Sequence, residues 1–276
     1  MAEFDLLTGA LKVFSQFDGK SIDFTYDYSC KEYRQLIDQY HIDEVAGKGD
    51  TIDKVMNLMK WCSENVQHNN GTKDVEFLEK NSLCILDYCY KKGSESGVYC
   101  RLQAIVFTEC CLALGIKSRI LHCLPFTPYD FESHVVSMVF IDEMDKWILI
   151  DAGNGRFFLD ENDNILSPLE ARNRLGNQSF IKCNIPDENY IAYMAKNLFY
   201  FKSPRINTFG ADLIKEQQTI YCAPKGLDVL EREVAYCEYA IRNVPPIFLD
   251  EWQNALNYHR SITDVFIADE ECFFGR

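Results

Sequence analysis

The sequence has no excess of basic residues, and this absence excludes one broad group of partners. Among its 276 residues, 42 are Asp or Glu and 28 are Lys or Arg, which gives a formal net charge of -14. The acidic residues are spread along the chain and form no tail. We therefore expect neither nucleic acid nor an anionic membrane surface to be a partner.

The sequence also lacks long apolar runs and a recognisable leader. Charged residues interrupt every apolar stretch before it reaches the roughly 18 residues that a membrane-spanning helix needs. The amino terminus has neither the basic region nor the continuous apolar region of a secretory signal peptide. We expect a soluble, cytoplasmic protein that does not associate with membranes.

Twelve cysteines are present, but no two of them form a C-x-x-C pair. The shortest spacings, Cys84 to Cys89 and Cys110 to Cys111, lack the second half of a zinc site. A chain of this size without a secretion signal does not need a disulfide framework. We therefore expect no metal site, and we expect most cysteines to be reduced thiols in the core.

No repeat, low-complexity tract or Pro/Gly/Ser-rich linker divides the chain. With 276 residues and 47% hydrophobic content, the chain is long enough to bury a sizeable core. The pattern predicts an N-terminal extension over residues 1–49 and a catalytic core over 50–190. A C-terminal α/β extension over 191–276 is expected to pack on that core.

Hydrophobic periodicity predicts an α+β fold in which helices precede antiparallel strands. Apolar residues at spacings of three and four predict helices over residues 31–40, 50–66, 82–90, 98–114, 227–241 and 250–258. Alternating or β-branched runs predict strands over 21–29, 118–124, 135–140, 147–150, 198–201 and 219–222. Asp50 is expected to cap the second helix, and Gly115 to follow the fourth in the left-handed conformation.

Cys100 falls in the first turn of a predicted helix. Unpaired backbone N–H groups and the helix dipole stabilise a thiolate at such a position. Gly93 and Gly97 allow the preceding loop to bend tightly and to bring backbone close to a substrate carbonyl. Cys110 and Cys111 lie about three turns further on, where this field has faded, and are expected to be core residues. Cys100 is therefore the candidate nucleophile.

Residues 134–151 predict a hairpin whose two strands carry a histidine and an aspartate. If the turn is symmetric about Asp142 and Glu143, the numbers of paired residues sum to 285. His134 would then lie directly opposite Asp151, with Cβ atoms about 4.5–5.5 Å apart. At that distance the carboxylate accepts the imidazole N–H and fixes the tautomer of the ring.

Each of these residues alone has an ordinary structural explanation. A cysteine on an apolar helix is usually a core residue, His134 can simply end a strand, and Asp151 can be a turn residue before Gly153. Together they provide the nucleophile, base and orienting carboxylate that thiol acyl transfer needs. We therefore predict that Cys100, His134 and Asp151 are catalytic.

The ordered set of motifs around these residues resembles the transglutaminase-like superfamily, in the manner of bacterial-type transglutaminase-like domain proteins. The matching pieces are GVYC at 97–100, LGIKSR at 114–119, HV at 134–135 and WILID at 147–151. The resemblance covers roughly residues 50 to 165 in order and with family-like spacing. It implies a papain-like α+β fold, in which the cysteine helix packs on an antiparallel sheet that carries the histidine and the aspartate.

The resemblance also implies a reaction. Members form a Cys thioester acyl-enzyme from an amide or peptide bond and pass the acyl group to water or to an amine, so the chain is expected to be a peptidase, amidase or transglutaminase acting on a peptide or protein substrate. This chemistry needs no cofactor. The sequence identifies no side-chain oxyanion donor upstream of Cys100. The acidic clusters at 142–145 and 160–163, which could suggest the calcium dependence of some relatives, are more typical of solvated turns.

Two alternatives remain open at this stage. One is a catalytically inactive transglutaminase-like scaffold that binds a protein partner, because a fold alone does not establish an activity. The other is an arylamine N-acetyltransferase-like enzyme, which also uses Cys, His and Asp, although the Arg- and Gly-rich approach to the cysteine is not seen here. Reactivity of Cys100 and binding of acetyl-CoA would separate them.

Overall fold

The computed structural model describes residues 2–69, 75, 78–93, 97–130, 133–214 and 217–275. The helices in this part of the chain are α1 (Ala2–Val13), α2 (Lys31–Tyr40), α3 (Ile42–Ala46), α4 (Thr51–Asn65), α5 (Ser82–Lys92), α6 (Cys100–Ala113), α7 (Pro168–Gly176), α8 (Glu188–Asn197), α9 (Val229–Asn243), α10 (Leu249–Ser261) and α11 (Glu270–Phe274). None of these described helices has the length and apolarity needed to cross a membrane.

One six-stranded, mostly antiparallel sheet organises the molecule. The strands are β1 (Thr25–Tyr26), β2 (Ser118–Leu124), β3 (His134–Ile141), β4 (Lys146–Ile150), β5 (Phe158–Leu159), β6 (Lys182–Cys183), β7 (Tyr200–Pro204), β8 (Ile206–Asn207), β9 (Thr219–Cys222) and β10 (Phe266–Ile267). The order in the main sheet is β10-β9-β7-β2-β3-β4, and its β10–β9 pair is parallel. β1 with β8, and β5 with β6, form two small separate pairs. The chain is therefore an α+β protein, as expected.

The sheet is buried on both faces, so two hydrophobic cores flank it. One core contains Val139 and Ile148 from the sheet and is covered by helices that include α4, α5 and α6. The other contains Met138 and Leu149 and is covered by helices that include α7 and α8. Because successive strand residues point to opposite faces, adjacent residues of β3 and β4 belong to different cores.

The predicted helices before the sheet are confirmed with small shifts at their ends. Asp50 caps α4 by accepting a hydrogen bond from the backbone N–H of Asp53 at 3.0 Å. Gly115 follows α6 with φ +74°, the left-handed conformation that glycine adopts without strain. All twelve cysteines lie in the described part and are free thiols, and eight of them are buried. The burial of most cysteines agrees with the expectation that they lie in the core.

Two expectations were wrong in detail. The strand predicted over residues 21–29 is limited to β1, because only Thr25 and Tyr26 pair with a neighbouring strand, β8. The hairpin register also differs, since β3 and β4 pair with Phe140 opposite Trp147, so that paired numbers sum to 287 and not to 285. The cause is the turn, which contains a 3-10 segment over Asp142–Met144 and a left-handed Asp145, making four residues between the strands.

The main sheet crosses the predicted boundary at residue 190. β7 pairs with β2 and with β9, so strands from the C-terminal third continue the sheet of the central region. The division into 1–49, 50–190 and 191–276 stays a prediction, although the C-terminal residues share the second core with those of the central region.

Candidate active site

Cys100 is the first residue of α6 and is partly exposed. Tyr99 occupies the N-cap position and makes no side-chain capping hydrogen bond. The first N–H groups of any helix have no acceptor within that helix. With no side-chain cap from Tyr99, the N–H of Cys100 is suited to donate a hydrogen bond to a negatively charged ligand atom.

His134 begins β3 and faces the same side of the sheet as Val136 and Met138. Its imidazole is buried, and Nε2 lies 2.6 Å from Oδ2 of Asp151. Because a carboxylate can only accept, Nε2 is the donor in this bond. Nδ1 is then the ring nitrogen that remains for the hydrogen bond between His134 and Cys100.

The contact between His134 and Asp151 is kept although the register differs from the predicted one. A shift of two in the pairing sum keeps His134 and Asp151 on the same face of the sheet, because side chains alternate with a period of two. Asp151 now lies diagonal to His134, just beyond the end of β4, where it pairs with Arg156. Diagonal neighbours are still within reach of long side chains. The predicted direct opposition is wrong, yet the two side chains meet.

Three further hydrogen bonds hold the Asp151 carboxylate. The hydroxyl of Tyr190 donates to Oδ2 at 2.8 Å, and Nδ2 of Asn154 donates to the same oxygen at 2.9 Å. The backbone N–H of Asn154 donates to Oδ1 at 3.1 Å. Burial would raise the pKa of Asp151, but the charge of His134 and these donors together lower it. The carboxylate therefore stays ionised in a buried setting.

The pKa of His134 shifts in the opposite sense. Burial would lower it, but the charge of Asp151, the hydrogen bond with Asp151 and the hydrogen bond with Cys100 raise it above its ordinary value. A more basic imidazole favours transfer of the thiol proton from Cys100 to His134. The arrangement can form a thiolate–imidazolium pair and can return the proton to a leaving group.

Gln103 ties together the segments that surround the nucleophile. It lies one turn after Cys100 on α6, is buried, and donates from Nε2 to the carbonyl oxygen of Val66 at 2.7 Å. On its other side, a Cβ added to Gly153 would lie 2.1 Å from Oε1 of Gln103. Only glycine fits there, so the turn after Asp151 packs directly against α6.

The site opens into a cleft of about 1030 Å³. Cys100 and His134 lie on its wall, and the C-terminal third contributes Tyr236 from α9 and Trp252 from α10. The rings of these two aromatic residues meet edge to face at 5.2 Å. The last third of the chain, to which the sequence attached no chemistry, therefore forms part of the cleft.

The charged groups in the cleft are largely paired with one another. Arg101 contacts Asp212 at 2.9 Å, and Arg156 contacts Asp187 at 2.9 Å. Lys202 contacts the buried Glu233 at 2.7 Å. Since each cation has its own carboxylate, the cleft does not select strongly for either sign of charge.

Sequence reasoning missed Tyr190, Asn154 and Gln103. Asn154 follows Asp151 by three residues in a glycine-containing turn, a spacing at which Asp commonly accepts from the backbone, so that contact had a local signal. Tyr190 lies on α8, 39 residues after Asp151 along the chain. No periodicity or motif connects such residues before the fold is known.

Residues 39–152 of the chain match the transglutaminase-like superfamily. That match supports a cysteine-dependent enzyme in general terms. Among solved structures, the chain is similar to a "putative cysteine protease" from Cytophaga hutchinsonii, with 16% identity and a TM-score of 0.33. The similar region covers 58% of this chain and 50% of the other chain. No curated protein matches the chain significantly.

Proposed function

We propose that the protein is a thiol enzyme that attacks an amide or peptide carbonyl with Cys100 and forms a thioester acyl-enzyme. His134 takes the thiol proton and later gives it to the departing amine. Asp151 keeps the imidazole oriented and stabilises its protonated form. The observation that carries this proposal is the continuous hydrogen-bonded series from Cys100 through His134 to Asp151 at the wall of an open cleft.

A peptide or protein is the proposed substrate. The cleft is as large as the upper range of small-molecule pockets, about 1000 Å³. Its ion pairs leave little net charge, while Tyr236 and Trp252 offer aromatic surface. These features favour an extended chain with apolar side chains over a small anionic or cationic metabolite. A cytoplasmic location, which keeps the nucleophile reduced, belongs to the same proposal.

Selective alkylation tests the nucleophile. Iodoacetamide at limiting concentration, from about pH 5 to 9, should label Cys100 before the other cysteines because it is partly exposed and lies next to a base. Cys110 is an internal comparison, since burial raises its pKa well above the ordinary value. Peptide mapping identifies the labelled residue.

The variant His134→Ala provides the control. Without the imidazolium, labelling of Cys100 near neutral pH should slow markedly, while labelling of Cys30 and Cys84, which are also partly exposed, should not change. If Cys100 in the wild type reacts no faster than Cys30 and Cys84, the enzymatic proposal fails and the scaffold alternative gains.

The final acceptor is tested separately. The protein is incubated with casein and a fluorescent primary amine, and both new peptide termini and amine incorporation are measured. New termini without incorporation identify water as the acceptor and the protein as a peptidase. Incorporation that is lost in Cys100→Ala identifies an amine acceptor and transglutaminase chemistry. If the wild type forms neither new termini nor an amine adduct, the proposed peptide substrate class is contradicted.

A further inference from the structure

A second histidine, His68, lines the same cleft as Cys100 and His134. It is an exposed residue of the segment that follows α4. The mechanism proposed above gives it no role. The attack of Cys100 on a carbonyl, however, needs donors for the oxygen that becomes negatively charged. The backbone N–H of Cys100 is one such donor, and the sequence alone identifies no side chain as a second donor.

His68 is held in place by backbone contacts with the residues that precede the nucleophile. It forms a parallel bridge with Val98, whose N–H donates to the carbonyl of Gln67 at 2.9 Å. The N–H of Asn69 donates to the carbonyl of Val98 at 3.1 Å. Together with the bond from Gln103 to Val66, these contacts fix the segment on both sides of His68.

Gly97 allows this close approach. A Cβ at position 97 would lie 2.1 Å from the Cβ of Asn69, a distance that no side chain can accept. The segment containing His68 therefore lies directly against the chain that leads into α6. Gly97 thus lets the segment of His68 pair closely with the residues that precede Cys100, and both side chains line the same cleft.

The two histidines of the site have opposite electrostatic settings. Although His68 is an exposed residue, its pKa is lowered, first by partial desolvation of the ring and then by the positive charge of His134, while Asp151 acts in the other direction. The pKa of His134 is raised. His68 is thus the weaker base of the two and gives up its proton at a lower pH than His134. A neutral imidazole carries one N–H donor and does not compete for the thiol proton.

We propose that His68 donates its ring N–H to the oxyanion that forms when Cys100 attacks a carbonyl carbon, beside the backbone N–H of Cys100. This inference rests on the proposed function and adds a catalytic residue to it. During attack, the S–C bond forms, the carbonyl π electrons move to oxygen, and the thiol proton resides on His134. When the C=O bond re-forms, the leaving group departs with the former bonding pair and takes a proton from His134 where its basicity requires one.

Two reagents separate this role from general effects on the thiol. p-Nitrophenyl acetate acylates a thiolate through a tetrahedral oxyanion, whereas iodoacetamide reacts at a saturated carbon and forms none. Release of p-nitrophenol is measured in single turnover with the protein in excess, and intact mass confirms the acetyl group on Cys100. The variants are His68→Ala and His68→Gln, which retains an N–H donor. Gln67→Ala is the matched control on the same segment.

In His68→Ala, acylation should slow by about 100- to 1000-fold, the usual effect of losing one oxyanion donor. Alkylation by iodoacetamide should stay within about twofold of the wild-type rate, because no oxyanion forms in that reaction. His68→Gln should recover part of the acylation rate, and Gln67→Ala should match the wild type in both reactions.

Two results with the variants would overturn the assignment. An unchanged acylation rate in His68→Ala removes the oxyanion role, and a parallel fall of acylation and alkylation shows that His68 acts on the thiol or on the local structure. A different result tests the underlying function. If wild-type Cys100 is neither alkylated selectively nor acylated, the thiol-enzyme proposal fails, and the assignment of His68 fails with it.

Discussion

Replacing Tyr190 by Phe removes the hydroxyl that donates a hydrogen bond to the buried carboxylate of Asp151. The aromatic packing of α8 stays in place. That hydroxyl donates to Oδ2 of Asp151 at 2.8 Å, and both residues are buried. The pKa of Tyr190 is raised well above its ordinary value by burial and by the charge of Asp151, so the hydroxyl keeps its proton and donates at every practical pH. The variant therefore isolates one hydrogen bond to the orienting carboxylate.

A hydrogen bond to a charged group contributes about 1.5–3 kcal/mol. Asp151 retains its bonds to His134 and Asn154 in the variant, so no charged oxygen loses every partner. We therefore expect Tyr190→Phe to lower the free energy of unfolding by the lower part of that range, about 1.5–2 kcal/mol at neutral pH. Because Tyr190 also helps to hold Asp151 in place, alkylation of Cys100 should slow modestly.

The pH dependence of this difference follows from the lowered pKa of Asp151 in the folded state. Stability that comes from a depressed carboxyl pKa is present above the unfolded value of about 3.9 and is lost as the pH falls through the folded value. Loss of the tyrosine hydroxyl raises the folded pKa toward the unfolded one. The difference between wild type and variant should be constant above about pH 5 and should shrink below about pH 4.

Urea unfolding monitored by tryptophan fluorescence measures these quantities. Tyr258→Phe, which removes a hydroxyl from a tyrosine with 55% exposure on α10, is the matched control and should change stability by less than about 0.5 kcal/mol. The reasoning is refuted if Tyr190→Phe is as stable as the control at neutral pH. It is also refuted if the destabilisation grows as the pH falls below about 4.

Two other sites give predictions of different kinds. Gly97→Ala should destabilise the protein by about 1–3 kcal/mol in urea unfolding, because the added Cβ overlaps Asn69. The control Gly9→Ala, with nothing near its added Cβ, should be neutral or stabilising. Equal effects of the two substitutions would contradict the packing argument. Burial raises the pKa of Glu109 to about 7. Stability from a raised pKa is lost as the pH rises through it, so the stability of wild type relative to Glu109→Gln should fall by about 3 kcal/mol between about pH 4 and 8. A pH-independent difference would show that Glu109 does not titrate in this range.

The sequence predicted the elements whose cause is local. Helix α4 and its cap at Asp50 follow from apolar spacing and from the short-range chemistry of an Asp side chain with the first helical N–H groups. Gly115 after α6 follows from the same kind of local rule. The placement of Cys100 at the start of a helix was predictable for this reason, because it depends only on where the periodic pattern begins.

The parts that could not be predicted depend on contacts between distant residues. The hairpin register required the conformation of Asp145, which is left-handed although it is not a glycine. The hydroxyl of Tyr190 and the imidazole of His68 approach the site on separate segments, and their positions depend on how α8 and α6 pack. The parity of the strands was nevertheless enough to bring His134 and Asp151 to one face, since a two-residue change in register preserves it.

The contacts of Arg101 connect the chemistry to the C-terminal third. This residue directly follows Cys100 on α6, and its guanidinium contacts Asp212 at 2.9 Å and Glu251 of α10 at 3.3 Å. Lys80 reaches the same Glu251 at 3.1 Å. Helix α10, which brings Trp252 to the cleft, is therefore linked by ion pairs to the residue that follows the nucleophile. The aromatic wall of the cleft and the first turn of α6 are therefore joined by the ion pair of Arg101 with Glu251.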